Sequence, residues 1–179
     1  SMNTMAGALG AARAAAESEA AALRTAASAV LAIAAGARDA QEPQRLFALV
    51  ARELKRVTRA RAVALAVPAE HDRPPAFAHF DPPAPWGGLG DGRPVPDSLV
   101  RRLVGMDNEA LRLDTYGGLC ECEAMAADGF RAVLLAPLHL PDSPPAVLLA
   151  ASDDRAAFPA SERDLVLALT SHLSSALRA

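Results

Sequence analysis

Cys120 and Cys122 are the only cysteines of the chain and stand one residue apart. A Cys-x-Cys pair can hold a thiophilic metal or act as a redox couple. Two thiolates are too few to close a tetrahedral zinc site. His79 or His139 would have to complete it, and the sequence places neither nearby. The competing reading is a pair of ordinary thiols, since free cysteine packs as a small hydrophobe. His71, His79 and His139 show no metal-ligand spacing. His172 falls on an apolar helical stripe and reads as a core or interface histidine. Gly87-Gly88-Leu89-Gly90 lacks the Lys-Ser/Thr that a phosphate loop needs and reads as a turn. No Gly-x-Ser-x-Gly elbow is present, so a serine hydrolase has no nucleophile position. Trp86, in a loop, can either fold over a pocket or stand in solvent. Arg131 is the one charged residue in the run Phe130–Leu138. Burying it unpaired is costly. It therefore either reaches solvent or meets an anion at a pocket mouth, where a guanidinium grips carboxylate or phosphate with two hydrogen bonds.

The composition limits the setting for this chemistry. A chain of 179 residues with 51% hydrophobic and 22% charged residues suits one globular domain with an appended helix. Aromatics are only 4%, which argues against a base-stacking nucleic-acid surface. The net charge of −3 gives no general attraction to phosphates or anionic lipid. No uninterrupted apolar run is long enough to span a membrane. Ala26–Ala37 lacks the features of a signal peptide. Cys120 and Cys122 close almost no loop, so they are not a disulfide framework. The chain is expected to be cytoplasmic. Lys55 is its only lysine beside many arginines, alanines and prolines, a composition associated with GC-rich bacterial genomes. Ser1-Met2 has the look of a tag remnant.

The elements that must carry these residues follow from periodicity. Residues from about Ala6 to Ala37 are strong helix formers. A heptad register puts Leu9, Leu23 and Val30 in one row with Ala16 and Ala37. Ala12, Ala26 and Ile33 form the other row, which Glu19 interrupts. The competing reading is a helix whose alanine makes any register look apolar. With so few large residues this helix must pack on something else. Gly36 and Asp39 mark a break. Pro43 opens a second helix to about Arg59, with Leu46, Phe47, Val50, Leu54 and Val57 on one face. Ala62–Val67 reads as a strand buried on both sides. Pro68–Pro96 is a long Pro/Gly-rich loop of the kind used as a lid, with a short strand around Phe77, His79 and Phe80. Asp97 can cap a short helix closed by Gly105. Ala110–Asp114 reads as a strand, and Thr115–Asp128 as a loop entering a short helix. Phe130–Leu138 and Val147–Ala151 read as antiparallel strands joined by a turn. Alternation places Phe130, Ala132, Leu134 and Ala136 on one face. Arg131, Val133, Leu135 and Pro137 take the other. Ser161 with Asp164 resembles a capping box opening the last helix, to about Leu177.

This order resembles the GAF family of small-molecule-sensing domains. Gly129–Leu138 is similar to the family strand that ends in an apolar-Pro-Leu signature. Val147–Ala151 looks like its returning strand, and Phe158–Leu165 like its entry to the final helix. Pro96–Val100 is similar to its small mid-domain helix. The resemblance covers about Gln41 to Ala179 and implies an α+β fold. A central antiparallel β-sheet would be flanked by helices on both sides and preceded by the long Ala-rich helix. Residues 1–40 would hold the tag remnant and an N-terminal signalling or dimerisation helix, and residues 41–179 the GAF-like domain.

The resemblance further implies a non-enzymatic sensory or regulatory domain of a bacterial signalling protein. Terminal helices commonly pair across a dimer in the family. A small ligand or a partner would sit on the sheet's concave face, under Pro68–Pro96 and Thr115–Asp128. The expected ligand-binding residues are Trp86, Tyr116, Cys120, Cys122, Met125 and Arg131, with no catalytic or metal site. The output would be a fused module or a partner protein, with no nucleic acid and no membrane. Neither ligand nor cofactor is identified. Bilin-binding relatives that resemble phytochromes carry a histidine after their cysteine; here glutamates follow both. The cyclic-nucleotide pattern of the family is not reproduced by Asp107-Asn108-Glu109. Two alternatives stay open: a cysteine-dependent reductase of a small oxidised substrate, like the family's free methionine sulfoxide reductases, and a ligand-free dimerisation module.

Overall fold

A computed structural model describes residues 2–39, 43–67, 76–83, 86–90, 109–112, 120–138 and 146–178. The elements, in chain order, are α1 (Met2–Asp39), α2 (Pro43–Val57), β1 (Ala62–Val67), β2 (Ala76–Asp81) and β3 (Glu109–Arg112). They continue with α3 (Cys120–Ala127), β4 (Ala132–Leu138), β5 (Ala146–Ser152) and α4 (Ala160–Arg178). The strands form one antiparallel sheet in the order β2-β1-β5-β4-β3. This is the α+β arrangement expected from the sequence, with its long N-terminal helix. The short helix expected at Asp97 lies outside the described residues.

The sheet divides two apolar layers. Val63 of β1, Ala132, Leu134 and Ala136 of β4, and Leu148 and Ala150 of β5 face one way. They pack on Ala29 and Ile33 of α1, Phe47, Val50 and Leu54 of α2, and Val166, Leu169 and Leu173 of α4. Ala62, Ala64 and Ala66 of β1, Val133 and Leu135 of β4, and Leu149 and Ala151 of β5 face the other. They meet Phe77, Phe80, Trp86, Leu89, Phe130 and Met125 of α3. Burial on both faces explains why β1 reads as an unbroken apolar run rather than an alternating one.

Helix α1 has 38 residues and is about 57 Å long at 1.5 Å per residue. Only its C-terminal part enters the core, where Ala29 and Ile33 are buried. Met2, Met5, Leu9 and Leu31 are exposed. The break expected at Gly36 and Asp39 falls at Asp39, and the helix runs on through Gly36 to reach it. Leu49 of α2 fills the space that a side chain at Gly36 would need. The glycine therefore serves a close helix crossing rather than a stop.

The entry to α4 also differs from the expected Ser161–Asp164 box. Arg163 N donates to Pro159 O at 3.0 Å, so the first helical bond starts at Pro159. Glu162 then occupies the third helical position, where a capping-box carboxylate belongs. Proline has no N–H to offer it. The Glu162 carboxylate accepts instead from Phe158 N at 2.9 Å. Phe158 itself has φ 59°, an uncommon conformation for an aromatic residue.

Candidate functional site

The layer opposite the three long helices gathers most of the chain's few aromatic side chains. Phe77 and Phe80 lie 6.4 Å apart, Phe80 and Trp86 6.1 Å edge to face, and Trp86 and Phe130 5.3 Å apart. Such ring pairs add about 0.5–1.5 kcal/mol each beyond area burial. The row ends on Arg61, whose guanidinium carbon sits 4.6 Å from the centroid of Phe130.

Two local devices build the row. The first is the turn Trp86–Leu89, closed by Leu89 N donating to Trp86 O at 3.0 Å. Its central residues have φ 62° at Gly87 and 76° at Gly88, the two positive values of a type I′ turn. A Cβ at Gly87 would lie 2.6 Å from Met125 Cγ, and one at Gly88 2.7 Å from Ala124 Cβ. The glycine pair therefore lets the turn lie directly on α3. Gly87 N also donates to the Asp128 carboxylate. Trp86, placed by this turn, is buried.

The second device ends α3. Gly129 N donates to Ala126 O and Phe130 N to Met125 O, with φ 90° at Gly129. This is the Schellman pattern, and it brings Phe130 and Met125 into one apolar cluster. The reversal explains a departure from alternation. Phe130 joins Val133 and Leu135 rather than Ala132 and Leu134, because β4 begins at Ala132 and Phe130 precedes it in the cap.

Arg61, Ala62, Pro82, Trp86, Asp128 and Phe130 line a cleft of about 520 Å³ at this end of the sheet. Ala62 leaves room beside two aromatic walls. Arg61 and Asp128 supply opposite charges at the rim, and Trp86 Nε1 is a buried donor with no partner among the described residues. The accessible chemistry of the cleft is thus aromatic surface with one guanidinium and one carboxylate at its edge. A second, smaller cleft of about 200 Å³ lies between α2 and the sheet edge at β2. Its His79 stacks on Phe47 at 5.4 Å.

Of the residues expected from sequence, the structure brings Trp86 and Met125 together on the α3 side of the sheet. Arg131 is exposed there, and its Nη1 donates to Ala126 O at 3.0 Å and Phe130 O at 2.9 Å. Cys120 and Cys122 stand in the first turn of α3. Tyr116 lies outside the described residues. Among the described residues no group of three or more His, Cys, Asp or Glu could hold a metal ion. Arg61, Asp128 and Phe130 were not marked as site residues by the sequence. Arg61 shows no local signal, but the Asp128-Gly129 pair ending a helix is a readable cap.

Around the same sheet end, Arg59 pairs with Asp154 at 2.9 Å and Glu162 at 3.2 Å. The Asp154 hydrogen bond and then the Glu162 charge raise the Arg59 pKa above its ordinary value. Arg61 pairs with Asp153 at 3.2 Å.

No family model and no curated protein sequence matches the chain. Solved structures do match it in fold. The phycoerythrobilin-bound GAF domain from a cyanobacterial phytochrome aligns with TM-score 0.67 and 15% identity, over 86% of this chain and 94% of that one. The GAF domain of a phosphoenolpyruvate-protein phosphotransferase from Coxiella burnetii gives 0.61 and 13%, over 87% and 94%. The GAF domain of a two-component sensor histidine kinase from Bacillus halodurans gives 0.59 and 16%, over 71% and 87%. Among the described residues, no helix is long and apolar enough to cross a membrane.

Proposed function

We propose that this chain, which has the GAF domain fold, is a non-enzymatic sensory module that binds a small planar molecule at the Trp86–Phe130 cleft. The observation that carries the reading is the cleft itself. It combines an alanine floor, two aromatic walls and an Arg61/Asp128 rim. Sensing then needs only binding energy that differs between two arrangements of the surrounding elements. No group in the cleft is asked to break a bond. Trp86 lines this cleft and Met125 packs in the same apolar layer, while Cys120 and Cys122 stand in the first turn of α3 and Arg131 binds its end. The neighbours' membership of a sensor kinase and a phytochrome supports a sensory role.

The exposed N-terminal part of α1 supports a homodimer as the working unit. Met2, Met5 and Leu9 are exposed, whereas helices in proteins draw most of their stability from packing an apolar face. A second copy laid along it would continue the apolar contact that Ala29 and Ile33 begin. In this arrangement α1 and α4 together carry the signal to a fused output module or a partner protein. Native mass spectrometry of the purified 18.5 kDa chain tests both halves at once. A two-chain mass with a bound small molecule supports the reading. A single-chain mass that takes up no small molecule opposes it.

A further inference from the structure

Arg59 and Arg61 flank Ala60 at the turn into β1, and both reach adjacent carboxylates in the connection between β5 and α4. Arg61 Nη1 donates to Asp153 Oδ2 at 3.2 Å, and Arg59 Nη1 to Asp154 Oδ2 at 2.9 Å. The far ends of the two arginines lie in different layers. Arg61 covers the Phe130 ring, and its Nη2 lies 3.4 Å from Asp128 O at the end of α3. Arg59 Nε lies 3.2 Å from Glu162 Oε1 in the first turn of α4, and its Nη1 also reaches Ala156 O at 3.4 Å.

The carboxylate connection is itself tied down. Ser152 Oγ accepts from Asp154 N at 3.1 Å, and Asp154 Oδ1 accepts from Ala156 N at 2.8 Å. Backbone bonds fasten it to the strands that carry the arginines and the aromatic wall. Arg61 N donates to Ala151 O at 2.8 Å, and Arg131 N to Ser152 O at 2.7 Å. Glu162 Oε2 holds Phe158 N, whose residue has the left-handed backbone. Every step from the α3 cap to the α4 cap is thus a direct contact around one end of the sheet. Salt bridges on exposed surfaces contribute little to stability. Two of them in register between the same pair of segments instead fix how those segments sit on each other.

We propose that Arg59 and Arg61, holding Asp154 and Asp153, form a relay that passes changes at the Trp86–Phe130 cleft to the first turn of α4. This rests on the cleft being the sensing site. A ligand that displaces Arg61 from Phe130 or shifts the α3 cap alters the grip on Asp153. The adjoining Asp154–Arg59–Glu162 contacts then reset the angle at which α4 leaves Phe158. Coupling in such a network is credible only when changes at one end are measured at the other.

The test is reciprocal and uses the ligand-free chain. Glu162→Gln and Arg59→Met change the α4 end, while Trp86 quenching by acrylamide and amide exchange at Asp128–Phe130 report the cleft end. Arg61→Met changes the cleft end, while amide exchange at Arg163–Val166 reports α4. The expected result is a change of at least about threefold at the opposite end in each direction, the scale that such networks carry. In Arg59→Met/Arg61→Met the two effects combine to less than their product. Changes confined to the mutated end, with independent effects in the double variant, overturn the relay. If Arg59→Met loosens the whole chain, Glu162→Gln decides, because glutamine keeps an acceptor for Phe158 N. A ligand that binds the cleft while the exchange effects stay local overturns the relay and leaves the sensing site standing. Reciprocal exchange effects in a chain whose cleft takes no ligand support the relay and overturn the sensing site.

Discussion

The guanidinium of Arg61 lies 4.6 Å over the ring of Phe130, so the residue entering β1 is stacked on the residue entering β4. The contact is possible because both strands pair with β5. Arg61 N bonds Ala151 O, and Arg131 N, next to Phe130, bonds Ser152 O. The cleft is therefore built on sheet register, with α3 and the Trp86–Leu89 turn laid over it.

That stacking has a stability consequence. Phe130 is 3% exposed, so Phe130→Ala is expected to cost about 3–5 kcal/mol. It should also red-shift Trp86 emission as the indole loses its neighbour. Arg61→Met keeps the aliphatic cover and removes only an exposed charge, and should cost under about 1.5 kcal/mol. Urea unfolding of the two variants, followed at Trp86, measures both. Similar losses would mean that the ring is not the anchor of this layer.

The glycines of the turn and of the α3 cap should separate in the same assay. Gly129→Ala meets open space and suffers mainly from φ 90°, which costs about 1–2 kcal/mol. Gly87→Ala has a similar backbone penalty and in addition brings a Cβ to 2.6 Å from Met125 Cγ. Overpacking of that kind adds about 1–3 kcal/mol. Gly87→Ala is therefore expected to be the more damaging of the two by at least about 1 kcal/mol. Equal unfolding midpoints would contradict the close docking of the turn on α3.

Truncation should divide α1 into two roles. Removing residues 1–19 takes away, among the described residues, exposed helix only and should leave the unfolding midpoint nearly unchanged while weakening self-association in sedimentation. A chain beginning at Gln41 also loses Ala29 and Ile33 from the core. The Ile33 side chain alone contributes about 1.5–3 kcal/mol of burial, so this chain should be both less associated and less stable. Undiminished association of both shortened chains would place the dimer contact elsewhere.

The sequence carried the sheet well where burial on both faces leaves an unbroken apolar run. Ala62–Val67 is observed as β1 within the bounds its composition implies. Strands β4 and β5 are close to theirs. Local signals misled where tertiary packing used the same residue for another purpose. Gly36 reads with Asp39 as the helix end, yet the helix ends at Asp39 and Gly36 accommodates Leu49. Ser161 reads as a cap, yet Pro159 begins the helix and Glu162 turns back to Phe158. Phe130 reads as part of β4's alternation but belongs to the cap of α3. Of the residues lining the cleft, Trp86 stands out in the sequence by type and segment, whereas Arg61 meets Asp153 across 92 residues. No local periodicity encodes a pairing of that range.

The Trp86–Phe130 cleft is expected to bind a small molecule. Wild type and Arg61→Met should be titrated with a panel of planar carboxylic acids, nucleotides and uncharged heteroaromatics, reading melting temperature and Trp86 emission together. The predicted result is a compound that stabilises the wild type, by about 2.7 kcal/mol at 100 times its Kd. It should shift Trp86 emission in the same titration and bind Arg61→Met about tenfold more weakly, the loss of 1.4 kcal/mol expected for one charged hydrogen bond. Compounds that stabilise both proteins equally with Trp86 emission unchanged, or a panel with no effect on either, would contradict the claim.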